Sequence, residues 1–204
     1  MKKKIIIISV IAAVLVIGAA AVINMLYNPL NIGINPLQTT NGQDQTGKRL
    51  EISFSYDKVR MVASSQYAFW IEDMDGNYVD TLYVTSWTAQ GGYSYRPKSI
   101  PIWVAARPAD IGSSEIDTIA GATPRPGDYV VVWDFTDRNG NPVTGTEYRY
   151  FIEATMNNDD DVLYTGVITI GEEAWSYNPV PEYTVPDSEY KNMIANVRVA
   201  YYPN

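Results

Sequence analysis

Seven short apolar segments, each ended by turn-forming residues, dominate the chain after residue 48. They are rich in Val, Ile, Tyr, Thr and Trp, which favour β-strands, and Gly, Pro, Asn and Asp separate them. About seven short strands with frequent turns predict an all-β fold, an immunoglobulin-like β-sandwich. The predicted strands are Leu50–Ser55, Tyr67–Asp73, Tyr78–Trp87, Asp128–Phe135, Glu147–Met156, Val162–Ile170 and Met193–Tyr202.

Local patterns add detail to this prediction. Val130–Trp133 is continuously apolar, as in a strand covered on both faces, whereas polar and apolar residues alternate more in Tyr148–Ala154. Ser99–Arg107 favours a short helix slightly over a strand, because Ser99 is a suitable N-cap and a Pro lies in the first turn. Trp175–Pro186 contains three Pro residues, which exclude an inner strand. We expect an extended arm across the sandwich there; a motif for a Pro-binding partner is the alternative.

The N-terminus has the pattern of a membrane anchor. Three lysines follow Met1, and the run Ile5–Leu26 is apolar and carries no charge. About 20 such residues cross a bilayer, and the preceding lysines favour an extracytoplasmic position for everything that follows. Residues 1–26 are therefore predicted to be a transmembrane signal anchor at the cell membrane, with a cleaved signal peptide as the alternative. Residues 27–48 have the composition of a flexible stalk, and residues 49–204 form the β-sandwich domain.

Charge and composition exclude several functions. Without the three N-terminal lysines the chain has 12 basic and 23 acidic residues, a formal charge of −11. Such a surface is repelled by nucleic acid. The chain has no Cys and no His, so a thiol nucleophile, a Ser-His-Asp triad and an imidazole metal ligand are all absent. We expect a non-enzymatic protein.

Three polar loops resemble metal sites but are better explained as turns. Asp73–Asn77 lacks the Gly at the sixth position and the Glu at the twelfth that a helix-loop-helix calcium site requires, and Asp-Gly is a hairpin signal. Asn157–Asp161 is an acidic loop tip without a second cluster to complete a coordination sphere. Residues 134–141 form a third polar turn of the same kind.

The hairpin from Gly121 onward resembles a known family. Its residues GATPRPGDYVVVWD, followed by DRNGNPV and then Glu147-Tyr148, are similar to a pattern in a bacterial family of predicted periplasmic proteins of unknown function. The WD…DxxGxPV…Y part also resembles the immunoglobulin-like domain of flagellar hook-cap proteins. The resemblance implies the sandwich fold and specifies no function.

A second resemblance concerns Asp117–Thr123, DTIAGAT. It is similar to the D-x-x-(S/T)-G-A-T sequence at which flavin transferases join FMN to the last Thr in FMN-binding domains of membrane redox complexes. The resemblance implies FMN on Thr123, with Gly121 and Ala122 giving access and Asp117 orienting the transferase's substrate. The aromatic residues Trp103, Tyr129 and Trp133 are then candidates to pack on the flavin ring.

The alternative is that glycines and prolines in residues 121–127 only shape the turn into the strand at Asp128. We therefore carry two main hypotheses. The first is a membrane-anchored accessory protein of flavin-based electron transfer, with a flavin transferase and membrane redox proteins as partners. The second is a structural or adhesive immunoglobulin-like module that binds a partner through loops such as Thr85–Tyr95; a lectin-like domain is a third, weaker hypothesis.

The anchor hypothesis predicts that the protein remains in the membrane fraction of its host, because Ile5–Leu26 continues past the small residues at which a signal peptidase would cut. N-terminal sequencing of the purified protein tests this. A mature N-terminus between residues 24 and 28, with the product in the medium, would contradict it.

Overall fold

The computed structural model describes residues 35–36, 47–57, 64–156, 161–188 and 190–203. The predicted anchor lies outside these residues, and within them no helix is long and apolar enough to cross a membrane. The described chain contains strands, short helices and one 3₁₀ turn, Gly92–Ser94. The strands are β1 Asn35–Pro36, β2 Arg49–Tyr56, β3 Gln66–Asp73, β4 Tyr78–Thr85, β5 Ala120–Gly121, β6 Gly127–Trp133, β7 Glu147–Thr155, β8 Asp161–Thr169, β9 Trp175–Tyr177, β10 Glu182–Tyr183 and β11 Ala195–Tyr202; the helices are α1 Ser86–Ala89, α2 Pro101–Ala106 and α3 Ser113–Ile119.

The strands form two sheets, which confirms an all-β sandwich. One sheet has the order β1-β6-β2-β11-β9, and the other has the order β10-β8-β7-β3-β4-β5. All seven predicted strands are present, each with ends within two residues of the prediction. β1 lies within the segment predicted as a stalk, and its backbone pairs in parallel with Tyr129 and Val130 of β6.

The main core lies between the two sheets. Along β2, buried and half-exposed residues alternate strictly, as expected for a strand with one face in the core. Aromatic rings from both sheets meet there: the ring centroid of Phe54 lies 5.0 Å from that of Phe69 and 5.8 Å from that of Tyr129. Such pairs add stabilisation beyond the burial of their area.

A helical layer covers the outer face of the β3 sheet. The second apolar cluster joins Trp70 of β3 to Trp103 of α2 and Ile119 of α3. As a result six consecutive residues, Gln66–Ile71, are buried. The prediction of double coverage for Val130–Trp133 was wrong, because Val130 and Val132 are only partly buried; the helices pack on the other sheet.

Helix α2 confirms the prediction of a helix within Ser99–Arg107, but its N-cap differs from the predicted one. The N-cap is Ile100, which has a left-handed conformation with φ of 44°. Ser99 instead contacts the hydroxyl of Thr88. The backbone N–H groups of Ile102 and Trp103 donate to the two carboxyl oxygens of Glu153 on β7, at 3.0 and 2.8 Å. A side chain from another strand thus supplies the cap.

The Pro-containing arm runs from one sheet to the other. Its beginning, β9, pairs with β11 at the edge of one sheet, and β10 pairs with β8 at the edge of the other. The expectation of an extended arm outside the inner strands is confirmed, since both pieces are edge strands.

Two of the three polar loops are turns with the same hydrogen bonds. The carboxylate of Asp73 accepts from the backbone N–H groups of Asp75 and Asn77, and that of Asp137 accepts from Asn139 and Asn141. Gly76 and Gly140 supply positive φ, at 85° and 78°. Hydrogen bonds from the side chain and the backbone of Asn77 lower the pKa of Asp73, and those from the backbone and the side chain of Asn141 lower the pKa of Asp137. In the third loop, residues 157–160 lie outside the described part of the chain.

Burial of Glu153 predicts a pH-dependent stability. Burial raises the pKa of Glu153 from 4.5 to about 8, against the effect of its two backbone hydrogen bonds. Between these values the folded protein keeps a proton that the unfolded chain releases, so the free energy of unfolding falls as the pH rises from 4.5 to about 8. The slope is at most about 1.4 kcal/mol per pH unit for one proton.

Glu153→Gln should remove this contribution, and Glu147→Gln, at an exposed position of the same strand, should not. Urea unfolding at pH values across this window measures the slope. An unchanged slope in Glu153→Gln would show that Glu153 is ionised in the folded protein.

The packing of β5 predicts a steric requirement at Gly121. A Cβ atom there would lie 2.6 Å from Cε2 of the buried Tyr83 ring. Gly121→Ala should therefore destabilise the domain by about 1–3 kcal/mol, as overpacking does. Gly171→Ala is the control, because no atom lies within 4 Å of the added Cβ. Equal unfolding midpoints for the two variants would refute the requirement.

Candidate functional site

The Asp117–Thr123 segment lies at an edge of the β3 sheet. It starts in α3, passes through β5 and leaves regular structure at Ala122. β5 pairs in parallel with the end of β4, with Ala120 beside Val84 and Gly121 beside Thr85. Helix α3 was not predicted. It places Asp117 on an exposed helical position, upstream of the edge strand.

The side chain of Tyr83 holds Gly121 and Ala122, the two residues immediately before Thr123, in position. Its hydroxyl donates to the carbonyl of Ala122 at 2.7 Å, and its ring occupies the space that a Cβ of Gly121 would need. The side chain of Ala122 is exposed. Gly121 is thus required by its close approach to Tyr83, and Gly127, with φ of 155°, marks the start of β6.

Thr123 is partly exposed, and its hydroxyl donates to the backbone carbonyl of Ser65 at 3.2 Å. The same carbonyl also accepts from the side-chain nitrogen Nε2 of Gln66 at 3.0 Å. The Ser65 carbonyl therefore keeps a partner if the Thr123 hydroxyl is lost or esterified. Thr123 itself stands outside any strand or helix, between β5 and β6.

Gln66 is the centre of a buried polar network below Thr123. Its Oε1 accepts from the hydroxyls of Thr85 and Thr88, at 2.6 and 2.8 Å. Its Nε2 contacts the hydroxyl of Ser64 at 2.9 Å and the carbonyl of Ser64 at 3.5 Å. Gln66 is fully buried and every polar atom of its side chain is bonded, so the network holds the start of β3 and the end of β4 in one arrangement.

Arg96 lies at the outer side of this network. One guanidinium nitrogen donates to the carbonyl of Ser64 at 3.2 Å and to the hydroxyl of Ser99 at 3.0 Å. Its Cζ lies 5.0 Å from the ring centroid of Trp87. Burial lowers the pKa of Arg96. Among the described residues its buried Nε has no hydrogen-bond partner, and none of their ion pairs includes Arg96.

The three aromatic residues proposed to pack on a flavin are buried in the two cores. Trp103 packs in the helical layer and donates to the hydroxyl of Thr81 at 2.8 Å. Tyr129 and Trp133 pack between the sheets. Packing therefore explains these rings, and none of them presents an exposed face.

Sequence reasoning missed Gln66 and Arg96, and it included Trp87 only within the loop Thr85–Tyr95 of the second hypothesis. A charge pattern could have pointed to the region. Residues 81–109 contain Arg96, Lys98 and Arg107 but no Asp or Glu, in a domain that is otherwise strongly acidic. The sequence did not show that this basic segment folds over β3 beside Thr123.

One further concave region of the domain lies away from Thr123. An open depression of about 420 Å³ lies near the beginning of β2 and is lined by Lys48, Glu172 and Tyr201. Thr123 lies at the other end of the sandwich, close to the first residues of β3. Within the described ranges no group of three or more Asp or Glu residues is placed to hold a metal ion.

Comparison with known proteins identifies a family. A family model described as "Predicted periplasmic protein (DUF2271)" matches residues 49–180. No curated protein and no solved structure matches the chain. The matched region contains β2 through β9, including Thr123 and the helical layer. Since it covers more than half of the sequence, the chain belongs to the DUF2271 family of predicted periplasmic proteins.

Proposed function

We propose that this protein is an extracytoplasmic β-sandwich accessory protein that carries FMN as a phosphoester on Thr123 and takes part in electron transfer. Membership of a family of predicted periplasmic proteins supports the extracytoplasmic location. The proposal includes the predicted N-terminal membrane anchor, which would hold the domain near membrane redox proteins.

The observation that carries the proposal is the position of Thr123. The motif places its hydroxyl on a partly exposed segment without regular structure, next to the exposed and small Ala122. The only hydrogen bond of the hydroxyl that the structure describes goes to a carbonyl that Gln66 also satisfies. Esterification therefore leaves no buried carbonyl without a partner.

The modification is a transfer of FMN from flavin adenine dinucleotide, catalysed by a Mg²⁺-dependent transferase. The Thr123 oxygen attacks the phosphorus of the FMN half, and a bond between Oγ1 and phosphorus forms. The pyrophosphate bond breaks, AMP leaves, and the hydroxyl proton passes to a base of the transferase. The exposed carboxylate of Asp117 is available to the transferase as a recognition group.

A binding module without a cofactor is the second candidate function. It is favoured by the exposure of aromatic residues in the segment Thr85–Tyr95, where Trp87 is 43% exposed and Tyr95 is 90% exposed. Exposed Trp and Tyr are common at the centres of protein interfaces.

Co-expression of the full-length chain with a flavin transferase active on a known acceptor should add one FMN. Trypsin releases Ser99–Arg138 as one peptide, because Pro follows both Arg107 and Arg125. This peptide contains both Thr118 and Thr123, so fragmentation mass spectrometry must place the adduct on Thr123. Thr123→Val should abolish the adduct and lower the free energy of unfolding by no more than about 1 kcal/mol, because Ser65 keeps its Gln66 partner.

Thr118→Val is the matched control. Thr118 is exposed on α3, and its hydroxyl donates only to the nearby carbonyl of Ser114 in the described structure. This variant should be modified like the wild type. An unmodified wild-type chain, or an adduct that persists in Thr123→Val, would contradict attachment at Thr123.

A further inference from the structure

We propose that Trp87 and Arg96 form the surface on which the flavin ring of the Thr123-bound FMN lies. This inference rests on the proposed attachment at Thr123 and adds a binding place for the ring. The ligand class is a planar aromatic ring system with electron-rich oxygen and nitrogen atoms along one edge.

The first support is the local charge. Residues 81–109 carry three basic residues and no acidic residue, whereas the chain after Lys4 has a charge of −11. Arg96 makes no ion pair in the described structure, although Arg138 pairs with both Asp110 and Glu115. Arg96 is thus a cation that the described protein leaves uncompensated, and an electron-rich ligand edge complements it.

The second support is a continuous path from Arg96 to Thr123. The guanidinium bonds the Ser64 carbonyl, Gln66 Nε2 lies next to the carbonyls of Ser64 and Ser65, and Thr123 bonds the Ser65 carbonyl. None of these four contacts is longer than 3.5 Å. These contacts join the Arg96 guanidinium and the Thr123 hydroxyl through one hydrogen-bonded network, and the proposal requires the ribityl chain of FMN, which lies between its phosphate and its ring, to bridge them.

The third support is the position of Trp87. Thr85, the last residue of β4, pairs beside Gly121 of β5. The chain then enters α1, whose second residue is Trp87, and Thr123 follows Gly121 by two residues. The indole is 43% exposed, unlike the buried Trp70, Trp103 and Trp133. Its orientation is fixed, because Gly92 lies against the ring and Arg96 lies over it.

An exposed indole beside a guanidinium is a suitable surface for a flat aromatic ligand. The indole offers stacking area, and the guanidinium both stacks and donates hydrogen bonds.

Fluorescence of the covalently bound flavin tests the inference. A tryptophan in contact with a flavin ring quenches its emission by electron transfer, so the Thr123 adduct of the wild-type chain should be weakly fluorescent. Trp87→Leu should increase the emission per bound flavin severalfold. Trp87→Phe, which keeps a ring against Gly92 and so preserves the packing, should also increase it. Arg96→Gln should increase it because the ring is no longer held.

Two matched variants serve as controls. Tyr177→Leu removes an exposed aromatic residue from β9, at the opposite edge of the sandwich, and Arg125→Gln removes an exposed cation two residues after Thr123. Both should leave the emission unchanged. An adduct on Thr123 with equal emission in the wild type, Trp87→Leu and Trp87→Phe would overturn the ring site while leaving the attachment intact. A wild-type chain without an adduct would overturn both.

Discussion

Strand β3 is buried on both faces for most of its length, and the other elements of the domain cover these two faces. One face packs into the sandwich core, and the other is covered by the chain between β4 and β6. A short helix cannot cover a sheet unless its own backbone groups are satisfied. Glu153, projecting from the neighbouring strand β7, does this for α2.

The strand pattern of the sequence was sufficient to predict the two-sheet architecture. Each of the seven strands combines β-favouring residues with an adjacent turn signal, and Asp73 and Asp137 determine their turns through local hydrogen bonds alone. The helical layer was predicted only at α2. All three helices are shorter than eight residues and depend on tertiary packing, which local propensity does not describe. Helix α2 could be predicted because a Pro marks its first turn. The immunoglobulin-like topology stays a prediction, as no solved structure matches.

The candidate site, too, could be predicted only in part from the sequence. The attachment motif could be found from local sequence, since its residues are contiguous. Gln66, Trp87 and Arg96 could not, because each is remote in sequence from Thr123. Hydrogen bonds of Gln66 and Arg96, and the contact of Arg96 with the Trp87 ring, bring them together across several elements. The network also gives the edge of the sheet a chemical character that the acidic remainder of the domain lacks. Helix α3, the edge strand β5 and the buried side-chain amide of Gln66 together position the hydroxyl of Thr123.

The arm between β9 and β10 has a consequence for an exported protein without disulfides. Sheet edges present unpaired backbone groups, to which a strand of a neighbouring molecule can add. The arm occupies one edge of each sheet in turn, and the prolines between its two short strands have no N–H to offer an incoming strand. On this side of the domain the edge strands are therefore only three and two residues long and are joined by prolines, a combination that disfavours the addition of a strand from a neighbouring molecule.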